Sequence, residues 1–163
     1  MVNALRQLQL DDLCVYQVTL SGQCDFANSL AVLRNAGIKR TALWTPMINS
    51  CGISEAKRIW DSAGMTAESL CVACLFEDEA LLREQLDLSD MFGARTLVII
   101  TGGFEALKSA GHDCDIDYAR SLLVERLALA AELADSYRVR LAFEPLHPIV
   151  CGFRSIVSTL QES

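Results

Sequence analysis

Apolar positions in this chain alternate between short continuous runs and longer stripes spaced three or four residues apart, with turn residues at the joins. The first run, Cys14 to Leu20, predicts a strand closed by Ser21-Gly22; Phe26, Leu30, Leu33 and Ala36 then recur at helical spacing, and Gly37 follows where a helix ends. A second run, Ile38 to Trp44, stops at Thr45-Pro46. Ser54 is placed to cap a helix through Ala63 whose stripe is Ala56, Ile59, Trp60 and Ala63, with Gly64 after it. The third run is Thr66 to Val72. Acidic Glu77-Asp78-Glu79 opens a helix that reaches about Phe92 and stops at Gly93, negative charge being favourable at the positive end of the helix dipole. Thr96 to Ile100 is apolar at nearly every position, as a strand buried on both sides must be. After Gly102-Gly103 the pattern predicts a polar loop through Asp115 and then the longest helix, Asp117 to Tyr137. A fifth run, Val139 to Phe143, ends in Glu144-Pro145, and Arg154 to Leu160 is patterned as a further helix.

A strand-helix order repeated four and a half times demands parallel strands joined by right-handed crossovers. An open doubly wound sheet and a closed eight-fold barrel both satisfy it. Five strands fall within the first 144 of 163 residues, a pitch of about 29 residues per unit, so eight units would need on the order of 230. On pitch alone the open sheet fits.

Composition narrows the classes. With 52% hydrophobic residues the chain can bury a core, which excludes disorder. Fourteen basic against 21 acidic residues give a net charge of −7, so nucleic acid and anionic membrane surfaces are not expected partners. Seven cysteines, odd in number and without framework spacing, read as reduced thiols of a cytoplasmic protein. Arg6, Asp11 and Asp12 interrupt any leader-like apolar run, and no stretch is long enough for a membrane span. Cys71-Val72-Ala73-Cys74 has the spacing of a redox or metal pair. Its helix is expected only near Asp78, and no second pair accompanies it, so small thiols in a buried strand account for it.

The phrase Leu141-Ala142-Phe143-Glu144-Pro145-Leu146-His147-Pro148 resembles the end of the fifth strand in the sugar isomerase/epimerase superfamily of xylose-isomerase-like barrels. Gly37-Ile38 through Trp44, Ala63-Gly64-Met65, Gly93-Ala94-Arg95-Thr96-Leu97-Val98 and Ile100-Thr101-Gly102-Gly103 resemble its strand approaches and ends, in the same order. The resemblance covers the whole chain but stops inside the fifth unit. It therefore implies a single partial domain over residues 1–163: an incomplete (β/α)8 TIM barrel with about five parallel strands and four to five helices, the N-terminal portion of such a barrel. The open doubly wound parallel sheet is the alternative.

What the resemblance implies chemically centres on Glu144, which matches an acidic residue that serves the family as both a divalent-metal ligand and a base beside a substrate carbonyl. A metal chelated by substrate oxygens stabilises the enediolate left when that proton is removed. Oxygen ligands favour Mn²⁺ or Mg²⁺, and a histidine in the set admits Zn²⁺ or Co²⁺. Pairing with a neighbouring arginine is the structural reading of the same carboxylate. His147 resembles a substrate-side loop residue, a structural loop histidine being the counter-reading, and Arg154 matches a family position that in other settings is an inert surface residue. Trp44 offers an apolar wall for a sugar, or a core residue. Gly102 and Gly103 permit close backbone approach to a ligand, or make a turn. His112 reads as a solvated loop residue. The ligands the family draws from later strands have no counterpart in the sequence. The chain is thus expected to show little isomerase activity on a sugar or sugar phosphate. As an incomplete sheet with open edges it is also expected to pair with itself, as a homodimer or otherwise. A non-catalytic half-barrel and a metal-dependent abasic-site endonuclease on the same barrel are the competing readings, the second disfavoured by the acidic charge and by only two histidines.

Overall fold

The computed structural model describes residues 7–111 and 115–162. Five strands are hydrogen-bonded in the order β1-β2-β3-β4-β5, the sequence order that successive right-handed βα units produce. This is an α/β fold of the incomplete-barrel type. The chain divides into two compact units with the boundary between Glu68 and Ser69, inside the third strand.

In the first unit β1 (Cys14–Tyr16) runs parallel to β2 (Arg40–Trp44), Cys14 opposite Arg40 and Tyr16 opposite Ala42. The predicted first strand is cut short: Gln17–Leu20 forms a 3₁₀ turn. Gln17 is fully buried, its Nε2 donating to Ser29 Oγ at 2.8 Å and its Oε1 accepting the Trp44 N–H at 3.1 Å. A side-chain amide thus takes over the bond that a longer strand would have supplied, with its own nitrogen and oxygen both paired. Helix α1 (Phe26–Asn35) starts where Asp25 Oδ1 accepts the Asn28 N–H at 2.8 Å, and buries Phe26, Leu30 and Leu33.

The strand stops before Thr45-Pro46 as expected, and these two residues also start a helix that the pattern does not show, α2 (Thr45–Cys51). Proline at the first turn removes an N–H that has no partner there anyway. Gly52, at φ +84°, ends α2 and begins α3 (Ile53–Ala63), so the junction falls to this glycine and not to Ser54.

The second unit holds the rest of β3 (Thr66–Cys74) with β4 (Thr96–Ile100) and β5 (Arg140–Phe143). Leu70 lies opposite Leu97 and Cys74 opposite Ile100, with one register shift between Cys71 and Ala73; Thr96 to Ile99 face Arg140 to Phe143. Helix α4 (Glu79–Phe92) is capped by Asp78 and closed by Gly93 in the left-handed conformation. Helix α6 (Ile116–Ser136) is capped by Asp115, whose Oδ1 accepts the Tyr118 N–H at 2.8 Å. Leu70, Phe76, Leu86, Leu97, Ile99 and Leu107 form the dry centre of this unit. Each contributes about 1.5–3 kcal/mol of burial.

Two further expectations fail here. Residues assigned to a polar loop contain helix α5 (Phe104–Ser109), held by a fully buried Leu107. The helix expected over Arg154 to Leu160 does not form: a 3₁₀ turn at Pro148–Val150 leads into irregular chain, with a single bridge between Cys151 and Ser155. Ser155, Ile156 and Val157 are buried, and their backbone bonds go to β4's tip and to the loop after β5 instead of along a helix. The α-helices among the described residues are therefore α1 to α6, not four to five, the additions being short. None is long and apolar enough to cross a membrane.

Candidate functional site

Parallel strands deliver their C-terminal ends to one edge of a sheet, and the second unit gathers its chemistry there. Glu144 is the first residue past β5. Its N–H donates to Ile99 O at 2.9 Å, which sets it beside the tip of β4, and its carboxylate is exposed and makes no ion pair among the described residues. The structural reading, a strand-end carboxylate tied to a neighbouring arginine, therefore has no partner to name.

Pro145 fixes the next backbone torsion. Leu146 N–H then donates to Val157 O at 3.1 Å, so the chain on both sides of Glu144 is held. His147 is exposed, and its Nδ1 accepts the Ile149 N–H at 3.2 Å across the 3₁₀ turn. That assigns the proton of the neutral ring to Nε2, the nitrogen free to meet a ligand.

At β4's tip Thr101 is fully buried and serves several partners, its hydroxyl also lying 2.7 Å from Gly102 O. Its carbonyl accepts the Phe76 N–H at 2.9 Å and the Cys74 thiol at 3.6 Å, while its hydroxyl meets Ser155 Oγ at 3.1 Å and accepts the Ile156 N–H at 2.8 Å. Gly102 follows at φ +90°. A Cβ there would strike Cys74 Sγ and crowd Phe76 and Ala106. A Cβ on Gly103 would overlap the Phe153 carbonyl. The close approach these glycines permit is therefore an approach by the chain's own residues 74 and 153. Arg154 is exposed on the same segment, its backbone N–H bonded to Val150 O at 2.9 Å.

Cys74 closes β3 beside these groups. Burial pushes its thiol up to about 11; the negative charge of Glu77 adds to this, and the Phe76 and Glu77 amides and the Arg154 charge pull it partly back. A thiol so protonated is a poor nucleophile at neutral pH. Its companion Cys71 is buried, and no disulfide joins cysteines among the described residues. Buried strand thiols account for the Cys-x-x-Cys spacing.

Trp44 belongs to the first unit, where it is the last residue of β2 and half-buried. It walls a cavity of about 520 Å³ together with Phe26, Met47 and Ile59, with Asp25 and Glu55 also lining it. Gln17, which the hydrophobic pattern gave no reason to single out, holds its backbone. Thr101 and Ser155 were missed in the same way; hydroxyls and amides carry no period, and only the folded chain reveals that they are buried and bonded. His112 lies outside the described residues.

The fold family implies a divalent metal. The donor set does not fit one: among the described residues no three His, Cys, Asp or Glu side chains come together as a potential site. One carboxylate in water holds such an ion poorly.

No family model matches the chain, and no curated protein matches it significantly. Solved structures do. A protein designated SMc04130 from Sinorhizobium meliloti is 30% identical with a TM-score of 0.80, over 94% of this chain and 57% of that one. The IOLI protein with a bound zinc atom is 12% identical, TM-score 0.66, over 91% of this chain and 55% of that one. D-allulose 3-epimerase from Methylomonas sp. in complex with D-allulose is 13% identical, TM-score 0.64, over 91% and 55%. The chain thus spans a little over half the length of the structures it matches.

Proposed function

We propose that this chain, which carries five parallel strands of the xylose-isomerase-like TIM-barrel fold that sugar epimerases share, is a sugar or sugar-phosphate isomerase/epimerase unit in which Glu144 is the carboxylate that moves a proton next to a carbonyl. The observation that carries this reading is the placement of Glu144, exposed and unpaired, one residue beyond β5 and beside the tip of β4, where parallel barrels collect their reacting groups.

In this reading the Glu144 carboxylate accepts the proton, His147 Nε2–H donates to a sugar hydroxyl, and Arg154 meets an anionic or hydroxylated end of the substrate. Trp44 supplies an apolar wall within its own cavity. Gly102 and Gly103 shape the β4 tip through their contacts with Cys74 and Phe153. A carbanion beside a carbonyl needs its charge stabilised. The described residues offer no metal cluster for that task, so this chain by itself is proposed to bind sugar with little or no turnover, in the cytoplasm, where its free thiols persist.

The test is a titration of the chain with D-allulose followed by amide resonances and by deuterium incorporation into the sugar from heavy water. Shifts at Glu144, His147 and Gly102 that weaken in Glu144→Gln, with negligible deuterium uptake, are the expected outcome. Shifts confined to other surfaces, or binding indifferent to Glu144→Gln, would sink the assignment, and rapid deuterium uptake would sink the proposed inactivity.

A second reading, self-association, is favoured by a specific observation: among the described residues β5 pairs only with β4, and Ile149, Phe153 and Leu160 in the segment after it are 84%, 70% and 80% exposed.

A further inference from the structure

We propose that Thr101 and Ser155 are positioning residues that clamp the Glu144–His147 loop onto the tip of β4, an inference that rests on the reading of Glu144 as the proton-transferring group. Both side chains are fully buried. Between them they carry a continuous run of bonds. The Ile156 N–H donates to Thr101 Oγ1 at 2.8 Å, the two hydroxyls meet at 3.1 Å, and Ser155 Oγ accepts the Val157 N–H at 3.0 Å while donating to Val157 O at 2.8 Å. Val157 O also accepts the Leu146 N–H at 3.1 Å. Thr101 is thereby joined to a backbone position two residues beyond Glu144, with rigid Pro145 between.

The other side of Glu144 is fixed by its own N–H on Ile99 O. Thr101 follows Ile100 directly, so both restraints on Glu144 refer back to one strand end. The proton count closes in one way: Ser155 spends its hydrogen on Val157 O, so the bond between the hydroxyls is donated by Thr101, with Gly102 O at 2.7 Å as the rival acceptor for that hydrogen.

Two outer bonds brace the same segment. Gly152 N–H donates to Ser155 O at 2.6 Å, and Phe104 N–H donates to Gly152 O at 2.8 Å, next to the place where Gly103 admits the Phe153 carbonyl. A simple connecting loop has no need of two hydroxyls sunk fully into the core, since an unpaired hydroxyl there is costly and an apolar pair of the same shape is not. What the hydroxyls add over an apolar pair is direction. They fix where the chain after β5 sits, and so where the Glu144 carboxylate and the His147 ring are held.

The experiment compares Thr101→Val, which keeps the shape and removes the hydroxyl, with Ser155→Ala and with Thr101→Ser as the restoring variant, all in the full chain. Amide hydrogen exchange at Leu146, Ile156 and Val157 should quicken at least tenfold in Thr101→Val and Ser155→Ala, and return toward the wild-type rate in Thr101→Ser. Exchange in α4 and α6 should not change. The carboxyl carbon resonance of Glu144 and the ring resonances of His147 should shift in the first two variants and recover in the third. Unchanged loop exchange overturns the clamp; so does an equal acceleration in α4 and α6, which would mark the hydroxyls as general stabilisers. Unmoved Glu144 and His147 resonances with a loosened loop overturn the positioning role. If Thr101→Val does not fold, Ser155→Ala decides by the same criteria. Failure of the Glu144 reading shows separately, as sugar binding indifferent to Glu144→Gln.

Discussion

Individual side chains at the strand tips of the second unit are set by what lies against them more than by their own chemistry. Cys74 illustrates this. Its thiolate would have to exist where burial and the charge of Glu77 oppose it, so the folded chain keeps the proton until about pH 11, against an ordinary value of 9.0. Since the folded state binds the proton more tightly than the unfolded one, the sign is fixed: stability is unaffected below pH 9 and falls as pH rises from there through 11, by on the order of 2 kcal/mol. Urea midpoints measured across that window should decline more steeply for the wild type than for Cys74→Ala, and the difference isolates this group from Tyr137, whose hydroxyl is also pushed up by its bond to Asp87. Parallel slopes for the two proteins would show that the thiol is not desolvated.

At the level of elements, legibility followed from redundancy of local signals. Helix α4 has an aspartate that caps it, an apolar stripe and a left-handed glycine after it, and β4 is apolar at every position but its first, so both were found with almost correct ends. Helices α2 and α5 span seven and six residues and bury too little side chain to leave a period, and Pro46 points as readily to a stop as to a start. Over Arg154 to Leu160 the apolar spacing was real, but it belongs to a segment whose buried residues answer to Thr101 and Leu146, partners distant in sequence. The same asymmetry divides the functional residues: Glu144, Thr101 and the glycine pair stand in recognisable phrases, whereas Ser155, which bonds to Thr101, and Gln17, which holds Trp44 in the first unit, do not. Where the local signal is strong, its energy should be measurable. Asp78 Oδ1 accepts the Ala80 N–H at 2.8 Å at the start of α4, so Asp78→Ala should cost about 1 kcal/mol. A midpoint within error of wild type in urea unfolding would mean that helix is set by packing alone.

For the whole chain the dominant physical question is what happens to apolar surface that its own fold leaves in water. Beyond β5 the side chains of Ile149, Phe153 and Leu160 are exposed, while β5 itself is hydrogen-bonded on its β4 side and only half-buried. Natural sheets rarely tolerate such an edge uncovered, and association of two copies would bury both features together. Opposing this, each copy carries a net charge of −7, so like-charge repulsion should weaken the pairing at low ionic strength and fade as salt is added. Sedimentation equilibrium is therefore expected to show an average mass above the monomer that rises with salt. The double substitution Ile149→Ser, Phe153→Ser should return it toward one copy without moving the unfolding midpoint, because these side chains are 84% and 70% exposed. A wild-type chain that stays monomeric at every salt concentration would show that this surface is tolerated in water.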